Sequence, residues 1–412
     1  MPRKRAALRA GKWEGKEDRL GVRVKGLGRV RWPADLRFEV CRDAMHCVFT
    51  RFNVFLIMIF MEKPAEKIRF AVVGCGHIGK RHAEMIARNP EAELVALCDT
   101  KPRELLDLEA FDTPFFQSIE EMLDSGIEIE VVNVCTPNGF HAKHCLQSLD
   151  KKIHVVCEKP MALTKAQCES IIYKSLQVSR QLFLVMQNRY SPPSIWIKEL
   201  IENSTLGDTY MVQVNCYWNR DHRYYKKGGW KGTADLDGGT LFTQFAHFVD
   251  IMYWLFGDIK DIQGIFNDFA HAELTDFEDS GMVAFNFVNG GMGCINYSTA
   301  VWDKNMESSI TIVGSKGSVK IGGQYMNEVE YCHVENYEMP ELPPSEPPND
   351  YGPYKGSAAN HHFIIQNVVD TLKGSTTITT NALEGLKVVE IIERIYALRD
   401  KQLTQNRNSN NH

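Results

Sequence analysis

The feature that most constrains the fold is a strand, turn and helix pattern that begins at Lys67. The stretch KIRFAVVGCGHIGKRHAEMI sets Gly74, Gly76 and Gly79 in the spacing G-x-G-x-x-G, between an apolar strand and a helix. Glycines in this spacing permit a tight turn, close approach of a pyrophosphate to the backbone, and close packing of the helix on the strand. The pattern predicts a dinucleotide-binding unit with the anion at the helix N-terminus.

A second strand, ELVALCD, ends at Asp99, which lies 20 residues after Gly79. A carboxylate at this distance accepts hydrogen bonds from the ribose hydroxyls and repels a 2′-phosphate, so the sequence favours NAD over NADP. The neighbouring Lys101 and Arg103 could soften this preference. A structural turn in an unrelated α/β unit is the alternative interpretation.

Strands alternate with helical segments up to about residue 190, which predicts a parallel, doubly wound sheet. Ligands bind beyond the carboxyl ends of the strands in such sheets. Polar residues follow three of the predicted strands: Thr136 to Asn138, Glu158 with Lys159, and Gln187 to Arg189. Lys159 is therefore placed to meet a substrate oxygen, and Pro160 fixes the turn that presents it. A solvated turn lysine is the alternative.

The second half of the chain predicts a different sheet. Period-2 strands occupy 209–218, 280–298 and 309–321, with hairpin turns at Asn289-Gly290-Gly291 and Ser315-Lys316-Gly317. A large meandering sheet with a helix on one face is the natural packing. Between these strands, the stretch 238–257 predicts a helix.

On that helix, Gln244, His247 and Asp250 fall at i, i+3 and i+6, roughly along one stripe. A histidine in such a stripe can serve chemistry or can be a core residue satisfied by a neighbouring carboxylate, here Asp250. The residues alone favour the second interpretation.

Charge is unevenly distributed along the chain. Residues 1–60 carry 14 Lys and Arg against 6 Asp and Glu, a net charge of +8, and the remainder carries 33 against 46, a net of −13. An acidic body does not favour nonspecific nucleic-acid binding. The 11 cysteines include no C-x-x-C pair, which predicts reduced thiols in a cytoplasmic protein, with neither a disulfide framework nor a metal site.

Residues 1–60 show little periodicity, and we expect a poorly structured extension ahead of a working start at Met61. The apolar run FNVFLIMIFM (52–61) is too short to span a bilayer, so no membrane association is expected, with a membrane anchor as the alternative. Residues 401–412 are expected to form a disordered tail.

The motifs GCGHIG, TPNGFH and above all CEKP resemble those of the Gfo/Idh/MocA oxidoreductases, over about residues 67–398. The resemblance implies an α/β protein with a Rossmann NAD-binding domain (61–190) and an α+β domain with an open, mostly antiparallel sheet (191–400). That sheet is often the oligomer interface in the family, so a homodimer or homotetramer is expected. The resemblance also assigns the catalytic roles to Lys159 and His247.

Within the family, inositol dehydrogenases carry an aspartate four residues before the histidine, where this chain has Thr243. The stretches at 187–193, 228–233, 237–250 and 354–362 are more similar to the branch that oxidises carbon 3 of a UDP-linked N-acetylglucosaminuronate. Some members of that branch regenerate NAD with 2-oxoglutarate. A dehydrogenase of another sugar or inositol, an NAD-dependent glycosidase and a nonenzymatic NAD-binding regulator remain as alternatives.

The resemblance and the motifs together imply two sets of contacts. Cofactor contacts are expected at Gly74, Gly76, His77, Ile78, Gly79, Asp99, Thr136, Asn138, His141, Glu158, Lys159 and Gln187. Substrate contacts are expected at Lys159, Asn188, Arg189, Trp230, Gln244, His247, Tyr354 and Ser357.

The charged stretch 219–233 supplies further cations for an acidic substrate, among them Arg220 and Lys231, although most lysines in such a run are solvated. Arg189 is preferred for the carboxylate or phosphate contact because a guanidinium binds either group bidentately. His247 is the first choice for general base, with Lys159 stabilising the alkoxide. The reverse assignment stays open.

Overall fold

The computed structural model describes residues 66–352 and 354–409. The expectations for residues 1–60 and for the apolar run at 52–61 lie outside the described residues. In the part of the chain that is described, no helix combines the length and the apolar composition needed to cross a membrane. The nine cysteines described are all free thiols.

The N-terminal half contains a six-stranded sheet whose strands all pair in parallel, in the order β3-β2-β1-β4-β5-β6. Its strands are β1 (Ile68–Val73), β2 (Ala92–Cys98), β3 (Phe115–Phe116), β4 (Val131–Val134), β5 (His154–Cys157) and β6 (Leu182–Leu184). All four side chains of β4 are buried because both faces of the sheet are covered. The sheet is the doubly wound sheet that the sequence predicts.

Four helices connect these strands: α1 (His77–Arg88), α2 (Ile119–Asp124), α3 (His141–Asp150) and α4 (Lys165–Val178). The side chains of Ser118 and Thr164 accept hydrogen bonds from backbone N–H groups at the starts of α2 and α4. The start of α1 differs, because its N-cap is Gly76 and no side chain caps it. Its first N–H groups are therefore free for an anion.

The C-terminal half contains a seven-stranded sheet in the order β13-β12-β11-β7-β10-β9-β8. Its strands are β7 (Thr209–Tyr217), β8 (Ile259–Asn267), β9 (Ser280–Phe287), β10 (Met292–Ser298), β11 (Glu307–Gly314), β12 (Gly317–Gly322) and β13 (Glu328–Val334). Only β7 and β10 pair in parallel. The sheet is thus mostly antiparallel, as expected, and both predicted hairpins are present. A separate hairpin joins β14 (Pro348–Asp350) to β15 (Lys355–Ala358).

One face of this sheet is covered by apolar side chains of α5 (Pro192–Glu202), α7 (Ala246–Phe256) and α9 (Ala382–Ser409). The predicted helix over 238–257 is divided into α6 (Thr240–Thr243) and α7, and Gln244 lies between them. Gln244 is not part of either helix, and its side-chain amide forms hydrogen bonds with Arg220 and Tyr224. On the opposite face of the sheet, exposed apolar side chains include Met211, Ile265, Met282, Met292 and Tyr331.

The described residues lie in one compact unit, and the division into two domains at residue 190 stays a prediction. Helix α8 (His361–Leu372) returns to the first sheet, where Ile365 and Val368 pack in one cluster with Phe70 and Ile86. The prediction of a disordered tail is wrong for residues 401–409, which continue α9. Gln402 ties this segment to β8 through both backbone groups of Phe266.

We predict that Ile365→Ala destabilises the protein, because it removes a side chain that is almost fully buried between α8 and the first sheet. The free energy of unfolding, measured by chemical denaturation, should fall by about 2–5 kcal/mol. Leu383→Ala is the control, since Leu383 is 64% exposed and should change stability by no more than about 0.5 kcal/mol. Equal effects of the two substitutions would contradict this packing.

Candidate active site

A cleft of about 670 Å³ lies at the carboxyl ends of the strands of the first sheet and is closed by residues of the second half. Most expected cofactor residues line it, namely Gly74, Gly76, His77, Ile78, Asp99, Thr136, Asn138, His141, Glu158, Lys159 and Gln187. The expected substrate residues that line it are Lys159, Trp230, Gln244, His247, Tyr354 and Ser357. Three of the expected residues do not line the cleft, namely Gly79, Asn188 and Arg189.

The glycine turn has the geometry needed to receive a dinucleotide. Gly74 has φ +90°, and a Cβ there would lie 2.7 Å from the carbonyl carbon of Cys135. A Cβ on Gly79 would lie 1.8 Å from the Gly74 carbonyl oxygen, so this glycine serves helix packing although it does not face the cleft. A Cβ on Gly76 would meet nothing within 4 Å, which leaves open space at the uncapped start of α1.

Asp99 is held at the end of β2 by backbone N–H groups. Its Oδ2 accepts from Cys75 N at 2.8 Å and its Oδ1 accepts from Lys101 N at 2.9 Å. These bonds fix a carboxylate at the cleft wall, in the place expected for a ribose contact. With the open glycine turn, the residues present fit NAD.

Lys159 projects from the turn after β5, and the peptide bond that joins it to Pro160 is cis. Its Nζ donates a hydrogen bond to the backbone oxygen of Thr243 at 2.6 Å, so this lysine reaches across the cleft to the second half. Burial lowers the pKa of Lys159 and Arg220 adds to this, while Glu158 and Asp237 oppose it. Lys159 is therefore half-buried at the cleft wall, with its Nζ bound to the backbone oxygen of Thr243.

His247 lies on α7 with its ring buried at the cleft wall. Its Nε2 lies 3.2 Å from Gln187 Nε2, and within the described residues its Nδ1 has no hydrogen-bond partner. Burial, followed by the nearby charge of Lys159, brings the pKa of His247 well below its ordinary value. The imidazole is thus neutral at neutral pH and able to accept a proton. Asp250 forms no hydrogen bond with the His247 ring and is bound to Arg189 instead, which differs from the interpretation of a core histidine satisfied by Asp250.

Arg189, predicted as a substrate contact, does not line the cleft and is paired with two carboxylates. Its Nε and Nη2 donate to the two carboxylate oxygens of Asp250 at 2.8 and 2.6 Å, and its Nη1 donates to Glu384 at 3.0 Å. Burial alone would lower the pKa of Arg189, but the two carboxylates raise it. Asn188 also faces inward, where its Oδ1 accepts from the Ser357 hydroxyl at 2.6 Å.

The cation that faces the cleft is Arg220, which is only 2% exposed. It donates to Gln244 Oε1, Asn219 O, Asn305 Oδ1 and Lys355 O at 2.6–3.1 Å, and all four acceptors are uncharged. No ion pair of Arg220 occurs in the described ranges. Its guanidinium lies 4.7–5.2 Å from the ring centres of Trp218, Tyr224 and Tyr354.

Lys231 lies beside Arg220 in the same aromatic enclosure. Its Nζ donates to the Tyr354 hydroxyl at 2.9 Å and lies 3.8 Å from the ring centre of Tyr224. Burial, with Arg220 next in effect, lowers the pKa of Lys231 to about 8. The charged stretch at 219–233 pointed to both residues, but only the fold distinguishes them from the other cations there, such as Arg223, which pairs with Asp221 and Asp303.

Two further residues, His82 and His361, were not predicted as site residues from the sequence. His82, on α1, contacts Glu158 Oε1 through Nε2 at 2.9 Å, and His361 Nε2 lies 3.7 Å from the same oxygen. These three residues come close enough for a metal cluster, but the Nδ1 of His82 is also engaged, by Asn133 at 2.8 Å. Although burial raises the pKa of Glu158, the two histidines bring it well below its ordinary value.

Comparisons with known proteins agree with this geometry. A family described as oxidoreductase, NAD-binding Rossmann fold, matches residues 68–184, and the GFO/IDH/MocA C-terminal domain matches residues 195–320. The WlbA dehydrogenase from Bordetella pertussis, in a crystal structure with NADH and UDP-GlcNAcA, is 32% identical with a TM-score of 0.72. That match covers 82% of this chain and 98% of that chain.

Two further relatives are informative. The WlbA enzyme from Chromobacterium violaceum, also in complex with NADH and UDP-GlcNAcA, is 30% identical with a TM-score of 0.72, covering 82% of this chain and 95% of that chain. The D-glucoside 3-dehydrogenase of Escherichia coli (strain K12) is 24% identical over 350 residues, which are 80% of this chain and 94% of that protein.

We predict that the unmodified protein binds NAD more tightly than NADP, because the Asp99 carboxylate repels a 2′-phosphate. Asp99→Ala should narrow this difference by about tenfold or more, as expected for loss of a hydrogen bond to a charged group. Binding titrations with both cofactors measure the effect, and Asp112→Ala removes an exposed carboxylate nearby as a control. Equal affinities in the unmodified protein would exclude this role.

Proposed function

Because the chain belongs to the GFO/IDH/MocA oxidoreductase family, we propose that it oxidises the 3-hydroxyl of a nucleotide-linked sugar acid of the UDP-N-acetylglucosaminuronate type. It is an NAD-dependent dehydrogenase that acts on a CH–OH group of a sugar or polyol. The more specific substrate rests on the two WlbA relatives and on the charges inside the cleft.

The observation that carries this proposal is the unpaired guanidinium of Arg220. A guanidinium has five N–H donors, and Arg220 uses four hydrogen bonds to uncharged acceptors, so one donor remains. Contacts with aromatic rings offset only a small part of the cost of burying a charge. The carboxylate of a sugar acid would supply the missing negative charge and an acceptor for the remaining N–H group.

Lys231 strengthens this preference for an acidic sugar. It places a second ammonium in the same enclosure, again without an ion pair in the described part of the chain. Arg220 lowers the pKa of Lys231, and two neighbouring cations become more stable when an anion binds between or beside them. A neutral sugar would leave both charges uncompensated, which is why the acidic substrate is preferred here over a neutral glucoside.

The chain's own residues divide the chemistry as follows. NAD, when bound at the glycine turn, supplies the hydride acceptor. His247 is neutral and removes the proton of the 3-hydroxyl, and the side-chain amide of Gln187 lies next to its Nε2. Lys159, held by Thr243, stabilises the oxygen as its proton leaves. The lowered pKa of Lys159 keeps the reverse assignment open.

The assembly and cellular setting are part of the same proposal. The exposed apolar side chains on the outer face of the second sheet, such as Met282 and Met292, favour a homodimer or homotetramer in which that face is covered. The free cysteines fit a cytoplasmic location. We also propose that 2-oxoglutarate regenerates NAD, and this part of the proposal rests only on the resemblance to the family.

We predict that Arg220→Met loses the preference for an acidic sugar. On UDP-N-acetylglucosaminuronate its kcat/KM should fall by about a hundredfold or more, the scale of truncating one partner of a buried charge pair. On UDP-N-acetylglucosamine, which keeps the diphosphate but lacks the carboxylate, the fall should be much smaller. NADH absorbance gives both rates, and Arg223→Met is the matched control.

Two results would contradict this role. Equal losses on both substrates would assign Arg220 to the diphosphate, and no loss on either would remove it from the site. If Arg220→Met does not fold, Arg220→Lys keeps a positive charge but not the planar guanidinium, and it should retain part of the preference for the acid.

We also predict that Lys159→Met lowers turnover by about a hundredfold or more and that His247→Ala lowers it by roughly 10²–10⁴-fold. Because both residues serve one proton transfer, the double variant should lose much less than the product of the single losses. NAD binding and circular dichroism should stay unchanged, and Lys151→Met, at an exposed turn, is the control. Unchanged turnover of Lys159→Met would defeat the assignment.

A further inference from the structure

Behind the catalytic lysine lies a carboxylate that none of the sequence motifs marks. Asp237 is fully buried just before α6 and does not line the cleft. Its Oδ2 accepts from Gly232 N at 2.8 Å, and its Oδ1 accepts from the hydroxyl of Thr243. In the described part of the chain no lysine or arginine forms an ion pair with it, so Asp237 is a buried acid held by two neutral donors.

Thr243 connects this carboxylate to the reacting end of Lys159. Its backbone oxygen accepts from Lys159 Nζ at 2.6 Å, while its side chain bonds Asp237. Asn138, from the first half, donates to Thr243 Oγ1 at 2.7 Å and to the backbone oxygen of Asp237 at 2.8 Å. Asp237, Thr243 and Asn138 thus form one hydrogen-bonded unit that fixes the position at which Lys159 ends.

The charges that face Asp237 are all cationic. Lys159 and Lys231 both act on the carboxylate, and it acts on both of them in return. Arg220 lies beside Lys231 and Lys159 and repels both. Burial raises the pKa of Asp237 to about 6, although its two hydrogen bonds and the two lysines oppose this. An ionised Asp237 therefore offsets the positive charge of the cleft at a cost to folding stability.

We propose that Asp237 is a positioning residue for the dehydrogenation: through Thr243 it fixes Lys159, and as an anion it keeps Lys159 protonated. This inference rests on the catalytic role proposed for Lys159. It does not depend on which sugar the protein oxidises.

The test is Asp237→Asn, which keeps the shape of the side chain and removes the charge. Its kcat should fall by about tenfold or more, since a small displacement of a catalytic group is costly, with little change in KM. The limb of the pH profile that belongs to Lys159 should move to lower pH, because removing an anion favours the neutral amine. Asp276→Asn, an exposed acid whose Oδ2 accepts from Ala234 N, should move neither quantity.

Thermal melting without substrate supplies a second measurement. The pKa of Asp237 is about 6 in the folded protein against an ordinary 3.8, so the unfolded chain releases this proton first. Ionisation of Asp237 therefore costs stability as pH rises from 3.8 to 6, and the cost persists above pH 6. At pH 7.5, Asp237→Asn should melt at a higher temperature than the unmodified protein, despite its lower kcat.

Thr243→Val tests the positioning of Lys159 separately from the charge of Asp237. It can also be used if Asp237→Asn does not fold. It removes the hydroxyl that joins the two residues but keeps the carboxylate, so kcat should fall while the pH limb stays in place. An Asp237→Asn variant that melts lower with an unchanged pH profile would overturn the proposal and leave Asp237 a structural residue. If the unmodified protein does not oxidise UDP-sugar acids, only the proposed substrate is contradicted. The melting comparison still applies, because it uses no substrate.

Discussion

The hydrogen bond from Lys159 Nζ to the Thr243 backbone oxygen joins the two halves of the site. The lysine follows a strand of the first sheet and the threonine belongs to the short helix before α7, so the bond crosses the cleft. Asn138 makes parallel contacts to the same short segment. Because all three groups are largely enclosed, each bond forms in a low dielectric and holds its partner firmly.

Two buried arginines differ in whether a carboxylate neutralises their charge. Arg189 and Arg220 are both almost fully buried, but Arg189 is neutralised by Asp250 and Glu384, whereas Arg220 has only uncharged acceptors. A satisfied ion pair contributes a fixed connection between elements. An unsatisfied cation is costly in the free protein, and that cost is recovered when an anion binds. The same residue type is thus paired with carboxylates at one position and, among the described residues, has only uncharged acceptors at another.

Much of the fold could be predicted because its signals are local. The spacing of Gly74, Gly76 and Gly79, the apolar runs before them and after them, and the hairpin turns of the second sheet all lie within short segments. The same holds for Lys159 at a strand exit and Asp99 at the end of β2. By contrast, the return of α8 to the first sheet and the course of α9 to Ser409 were not anticipated, because both depend on contacts with residues distant in sequence.

The sequence by itself therefore determined the dinucleotide-binding turn and the alternation of elements, and it placed Lys159 at a strand exit. Only the tertiary structure decided which charges remain free to meet a substrate. Arg189 meets Asp250 across 61 positions and Glu384 across 195, so no local pattern could reveal that it is neutralised. Electrostatic pairing depends on distance in space and on burial, and both are set only when the two sheets and their helices pack together.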